Sequence, residues 1–205
     1  MKQSFVLWSA LLLCLASCQK DISLIHEPVP TQQPIAAAEA IVPFTQYIIK
    51  AGEQFCDKND FTPVVYDEMR FSVRFDSSAI YKTVLPANQG DINKLYGFSD
   101  NNAQHHLYSA RFGWRWSNNA LRLFGYIYNN GERSHKEIGT VEIGSLNDCS
   151  IKISGNNYVF SLNKKQVTMP RQSTTLKAEG YKLFPYFGGD ELAPHEIKIW
   201  IKEQQ

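Results

Sequence analysis

The chain has no surplus of charge: 21 Lys and Arg stand against 20 Asp and Glu. A nucleic-acid partner needs a basic excess or stripe to neutralise phosphates, so neutrality argues against that class. Cysteine is scarce, with four in 205 residues, and no His or Cys group has the spacing of a zinc site. Beyond the N-terminus no apolar run is long enough to span a bilayer as a helix. Helix signals are few, and no internal repeat is visible. What the chain has in quantity is aromatic side chains, 13% of all residues, with 10 Tyr, 12 Phe and 4 Trp. Such a content suits pleated, half-buried strands and equally a surface that binds sugars.

The N-terminus carries an address. Lys2 is followed by an apolar stretch from Phe5 to Leu15, of the length of a secretory signal. It ends in Leu15-Ala16-Ser17-Cys18, which resembles the lipobox of bacterial lipoproteins. The resemblance implies cleavage before Cys18 and diacylation of Cys18, which would anchor the chain in the outer membrane. Each buried methylene contributes about 0.8 kcal/mol, and two chains hold a soluble domain stably. The alternative is an ordinary secretory signal with a chance cysteine. Lys2 is the sole charge ahead of Cys18, so the mature chain would be neutral. Residues 18–43 then read as a tether, with Pro28, Pro30, Pro34 and Pro43 among Gln, Thr and Ala. Gln19-Lys20-Asp21 loosely resembles the export signal of surface lipoproteins of Bacteroidota, which favours the cell surface over a periplasm-facing orientation. The whole mature chain is similar to lipoproteins of that group, a likeness that implies no activity.

Residues 44–205 read as one domain of short strands. Met69, Phe71, Val73 and Phe75 alternate with Arg70, Ser72 and Arg74. His106 to Trp116 and Ala120 to Tyr128 form a hairpin around Ser117-Asn118-Asn119. Strands follow at 137–143, 150–153 and 158–162, and Ile197, Ile199 and Ile201 mark a last strand. Asp91 to Tyr96, with an N-cap aspartate and Gly97 as a stop, is the expected short helix. The pattern predicts an all-β, antiparallel sandwich with at most one or two short helices. The segment 110–163, with its Gly-Trp-Arg-Trp strand, Leu121-Arg122-Leu123-Phe124, Glu137-Ile138-Gly139-Thr140 and Tyr158-Val159-Phe160, resembles a concanavalin-like, laminin-G-type jelly roll. Cys56 and Cys149 remain in an exported chain, where disulfides persist. A bridge between them is expected, worth about 4–5 kcal/mol in the chain-entropy account. Two buried free thiols are the alternative.

A three-residue turn would set Trp116 opposite Ala120 and Trp114 opposite Arg122. One hairpin face would then carry His106, Tyr108, Phe112, Trp114, Trp116, Arg122, Phe124, Tyr126 and Tyr128. Flat rings cover the apolar faces of sugars while a few polar groups orient them. Trp114, Arg122, Tyr126, Tyr128 and His106 are therefore the candidate carbohydrate site, with Arg122 clamping a uronate or sulfate. The competing assignment places these rings in the sandwich core. Asp190 and Glu191, after Gly188-Gly189, are candidates for calcium, although no Asp-x-Asp-x-Asp spacing supports them. No cofactor is expected. A lyase would use a His or Tyr base beside an arginine-neutralised uronate, built from His106, Tyr126 and Arg122. The Arg-rich and Gln-Ile-His motifs of alginate-lyase-type jelly rolls are absent, as is the glucanase-type Glu-x-Asp-x-x-Glu. The expected function is a lipid-anchored cell-envelope protein that binds a glycan. The alternatives are a polysaccharide lyase on the same sheet face and a non-catalytic adhesion or structural lipoprotein.

Overall fold

Alternation at 69–75 becomes a strand because one set of side chains finds a core and the other finds water. In the computed structural model, which describes residues 43–204, Met69, Phe71, Val73 and Phe75 are buried while Arg70 and Arg74 are exposed. The signal segment, Cys18 and almost all of the tether lie outside the described residues.

Twelve strands form two antiparallel sheets, confirming the jelly-roll-type sandwich. They are β1 (Thr45–Ile49), β2 (Pro63–Tyr66), β3 (Glu68–Phe75), β4 (Asn93–Ser99), β5 (Tyr108–Ser117) and β6 (Ala120–Asn129). The remaining six are β7 (Glu132–Val141), β8 (Asn147–Ile153), β9 (Asn157–Leu162), β10 (Lys165–Pro170), β11 (Ala178–Leu183) and β12 (Ile197–Gln204). One sheet runs β1-β12-β3-β8-β9-β10 and the other β2-β11-β4-β5-β6-β7. Phe71, Phe112 and Phe160 meet edge to face between them, with ring centroids 5.5 Å apart in each of the pairs Phe71–Phe112 and Phe112–Phe160. Such offset contacts add to the simple burial of large rings.

Two sequence expectations are corrected here. The segment 91–96 is not a helix. Asn93 begins β4, and the short 3-10 turn lies earlier, at Pro86–Gly90. Tertiary pairing with β5 overrides the local cap-and-stop signal. The expected Cys56–Cys149 disulfide is also absent, and both cysteines are free and buried. Cys56 bridges Ile49 on the outer side of edge strand β1, whereas Cys149, in β8, pairs with Phe71 of β3. With β1, β12 and β3 between them, four strand spacings separate the two by about 19 Å, far beyond disulfide reach. Burial pushes the Cys56 thiol up to about 11 and Cys149 well above its ordinary value. Alkylation in denaturant without reductant is therefore expected to label both residues fully, and neither without denaturant. A peptide map showing a Cys56–Cys149 cross-link would contradict the placement.

Candidate functional site

The site is decided at one turn. Asn118 and Asn119 both adopt left-handed backbone, at φ 52° and 54°, and make a two-residue hairpin. Asparagine tolerates that conformation, and such turns match the twist of the flanking strands. Ser117 therefore pairs with Ala120 instead of belonging to the loop, and Trp114 pairs with Leu123, Arg115 with Arg122 and Arg111 with Tyr126. Relative to a three-residue turn the register slips by one residue, which exchanges the faces of one strand against the other.

Trp114 is consequently corrected from binding group to core. It is 0% exposed and packs against Phe75, Tyr81 and Phe187 at centroid distances of 5.4, 5.7 and 6.3 Å. Arg122 is corrected as well. It stays on the outer face, but its Nη1 donates to Glu137 Oε1 at 2.9 Å and its Nε to the Ser117 carbonyl at 3.3 Å. Its charge is already matched, and it does not line the cavity. Tyr126, Tyr128 and His106 do line a single open cavity of about 590 Å³ on the outer face of the sheet. Sequence reasoning missed Arg111, Lys94, Arg133, Tyr181 and Tyr186, which share it. The signal that finds Arg111 is the Asn118-Asn119 pair read as a two-residue turn, which sets Arg111 beside Tyr126.

The floor of the cavity is cationic. Arg111 is 6% exposed, its Nε has no hydrogen-bond partner, and its guanidinium lies 5.4 Å from the centre of the Tyr126 ring. Among the described residues no carboxylate forms an ion pair with it; the ion pairs present use other cations. Gly97 makes room for β5 at this residue, since a Cβ there would lie 2.2 Å from the Ala110 carbonyl oxygen and 2.4 Å from both Cα and Cβ of Arg111. Burial pushes the Arg111 guanidinium down to about 10, partly offset by the surrounding tyrosines. Lys94 donates to the Gly188 carbonyl at 2.6 Å and sits 5.5 and 5.7 Å over the Tyr126 and Tyr186 rings. Burial first, then repulsion from Arg111 and Arg133, lowers its ammonium to about 8. Lys182 also lines the cavity, but it is spent on Glu203 at 2.5 Å. Asp60 is the one acid among the lining residues.

One wall carries imidazole and phenol groups. His105 donates its backbone N–H to Tyr181 Oη at 3.1 Å, and its Nδ1 lies 2.9 Å from the same oxygen. The phenol can both donate and accept, so it holds the imidazole in place in either direction of the Nδ1 bond. Burial, together with repulsion from Arg111 and His106, holds His105 down at about 4. The His106 ring packs 4.2 Å from His105 and 5.3 Å from Tyr128. Burial and the Tyr128 hydroxyl raise the Tyr126 phenol above its ordinary value, against the pull of Arg111.

In the loop after the buried Gly188, Asp190 is exposed and Glu191 half-buried. The Glu191 carboxylate accepts from the Val84 and Leu85 backbone N–H groups, both at 2.8 Å, and from Asn88 Nδ2 at 2.9 Å. These bonds pull its pKa below the usual carboxylate value, that from Leu85 foremost. The acid serves to pin the 84–88 segment. Among the described residues no three His, Cys, Asp or Glu side chains converge at metal-binding range.

No family model matches the chain, and no curated protein matches it. Solved structures do. The alginate lyase AlyC3 superposes with a TM-score of 0.50 at 8% identity, over 78% of this chain and 74% of that one. A mixed linkage glucan GH16 of Bacteroides ovatus gives a TM-score of 0.49 at 13% identity, over 81% of this chain and 83% of that one. At such identities the likeness is one of fold.

Proposed function

We propose that the protein binds an acidic glycan in this cavity, while a lipid on Cys18 holds it in the outer membrane at the cell surface. One observation carries the reading: Arg111, buried on the cavity floor without a carboxylate. A buried charge is costly unless it is paired. An arginine kept in that position, with Lys94 and Arg133 on the same cavity, suits a ligand that supplies the missing anion. A planar carboxylate or sulfate fits a guanidinium in bidentate fashion. The Tyr126, Tyr128, Tyr181 and Tyr186 rings supply the flat apolar surfaces that a sugar presents its faces to. An array carrying polyuronates, sulfated glycans and neutral glucans tests this. Retention on the acidic members alone is expected, and equal retention on neutral glucans would overturn the reading. The anchor is tested separately: an alkyne-fatty-acid label in the envelope fraction should vanish in Cys18→Ser.

A second reading, polysaccharide lyase, is favoured by Lys94. An amine near pH 8 beside Arg111 and Tyr126 has the groups that β-elimination requires. Arg111 would neutralise the uronate carboxylate and Lys94, as free amine, would accept the proton on the adjacent carbon. The carbon–oxygen bond to the leaving sugar would break as Tyr126 protonates that oxygen. The pH dependences of the two readings run in opposite directions. Binding needs the ammonium, so affinity for polyuronate should fall as pH rises through about 8. Elimination needs the free amine, so the ultraviolet absorbance of unsaturated product should accumulate faster over the same rise. A flat affinity profile between pH 7 and 9 would remove Lys94 from the site.

A further inference from the structure

Two large rings stand at the rim of the cavity, and neither the core nor the cationic floor accounts for them. Phe61 is 74% exposed and Phe55 is 62% exposed, the more notable because both line an open, partly apolar recess. Each leans on a tyrosine of the wall. Phe61 lies 5.3 Å from Tyr181, inclined at 38°, and Phe55 lies 4.9 Å from Tyr186, nearly perpendicular at 84°.

The segment that carries them is pinned. Phe55 makes a backbone bridge to Tyr186, and Lys182 N–H donates to the Thr62 carbonyl at 2.8 Å. Between these, Asp57 ties back to Ile48 through both its side chain and its backbone N–H, at 2.8 and 2.9 Å. Exposed rings fixed in place in this way cost little further ordering when a ligand arrives.

Strand register measures how far apart the two platforms stand. Tyr186 bridges Lys94, whose partner in β5 is Gly113. The Tyr181 N–H donates to Ser99 Oγ, and Ser99 pairs with Ser109. Gly113 and Ser109 are four residues apart along β5, about 14 Å. Arg111 lies midway between them. The order along the sheet is therefore ring pair, cation, ring pair, over a distance greater than one sugar ring.

We infer that the occupant is an internal stretch of an anionic polysaccharide at least three sugar rings long, laid along the β5 direction. The central ring's acidic group meets Arg111, and the flanking rings stack on the Phe55–Tyr186 and Phe61–Tyr181 platforms. This rests on the acidic-glycan reading and adds to it the length and mode of recognition. A monosaccharide or disaccharide acid would satisfy Arg111 and leave at least one platform bare.

Titration calorimetry of the full protein with oligouronates derived from alginate and from pectin, and with heparin-derived oligosaccharides, each of two to six sugar rings, tests it. In at least one series, affinity should climb from two rings to four and then level off. Phe61→Ala and Phe55→Ala should each weaken four-ring binding by about tenfold, a typical loss for one stacking ring. Binding of the two-ring acid should shift far less in at least one of the two variants. Phe61→Trp should restore the longer ligand. Both rings are exposed, so unchanged thermal melting is the control for folding. Affinity independent of length, or Phe variants identical to wild type, would overturn the platforms while leaving Arg111 its ligand. Absence of binding at every length in all three series would overturn the acidic-glycan reading, and the platforms with it.

Discussion

Asp100→Ala is expected to cost about 3–5 kcal/mol, the usual penalty for stripping one partner from a buried ion pair. Asp100 and Arg171 have side chains only 0% and 3% exposed and meet at 2.7 Å, Nε to Oδ2, with a second contact of 3.1 Å from Nη2 to Oδ1. The carboxylate also accepts the Tyr158 hydroxyl at 2.7 Å and the Asn101 backbone N–H at 2.6 Å. Arg171 spreads its remaining donors over the Thr175 and Lys177 carbonyls at 2.7 and 2.9 Å. This knot ties the end of β4 to β9 and to the segment after β10, so alanine would orphan a buried guanidinium and a buried phenol together. Burial alone would raise the Asp100 pKa, but Arg171, Tyr158 and the Asn101 N–H outweigh it and hold it below the ordinary value. A carboxyl depressed in the folded state contributes stability above its unfolded pKa and loses it as pH falls through the folded one. Urea titrations should therefore show the wild type losing this contribution in acid and Asp100→Ala showing no such loss. Arg122→Ala is the comparison. Its pair with Glu137 is partly exposed, and less than about 1 kcal/mol is expected from it. Equal midpoints for Asp100→Ala and wild type would show that the knot contributes nothing.

Arg111→Met should abolish measurable binding of acidic glycan, a loss of about 30-fold or more, while leaving the fold at least as stable as before. Removing one member of a buried, hydrogen-bonded charge pair costs about 2–5 kcal/mol of affinity, mostly through faster dissociation. Stability should move the other way. Without ligand the guanidinium is buried against Tyr126 with no carboxylate, so an apolar side chain of similar length removes a desolvation cost and keeps the packing. Opposite signs on binding and on stability distinguish a ligand-directed arginine from a structural one. Thermal melting and calorimetry on the same sample check both. A variant that melts well below wild type and still binds would assign Arg111 to the scaffold. Lys94→Met is the graded companion, because Lys94 is less buried and already holds the Gly188 carbonyl.

The β-sandwich was legible in the sequence, and so was half of the site. The isoleucines of β12 and the alternation of β3 describe their own faces, because each side chain's direction follows from its neighbours two residues away. Tyr126, Tyr128 and His106 were found as an aromatic and imidazole group near one hairpin, and the cavity does gather them. Trp114 was placed wrongly because the hairpin turns on two asparagines and not on three residues; Arg122 faces outward as expected but is held by Glu137 and the Ser117 carbonyl, away from the cavity. The disulfide failed because pairing two cysteines requires knowing how many strands lie between them.

By itself the sequence determined the strand-rich class, the neutrality that argues against a nucleic-acid partner, the aromatic supply and the lipobox-like start. Those properties are local or additive, so they survive any arrangement of the chain. Only the tertiary structure decided which cation faces outward without a partner. That outcome depends on register, on Gly97 yielding space to Arg111, and on Tyr181 and Tyr186 arriving from a strand and loop about 70 residues further along the chain. Side chains so distant in sequence have no periodicity in common, and they meet only because β11 and β5 flank β4 in one sheet, with Tyr186 bridging Lys94 at its end.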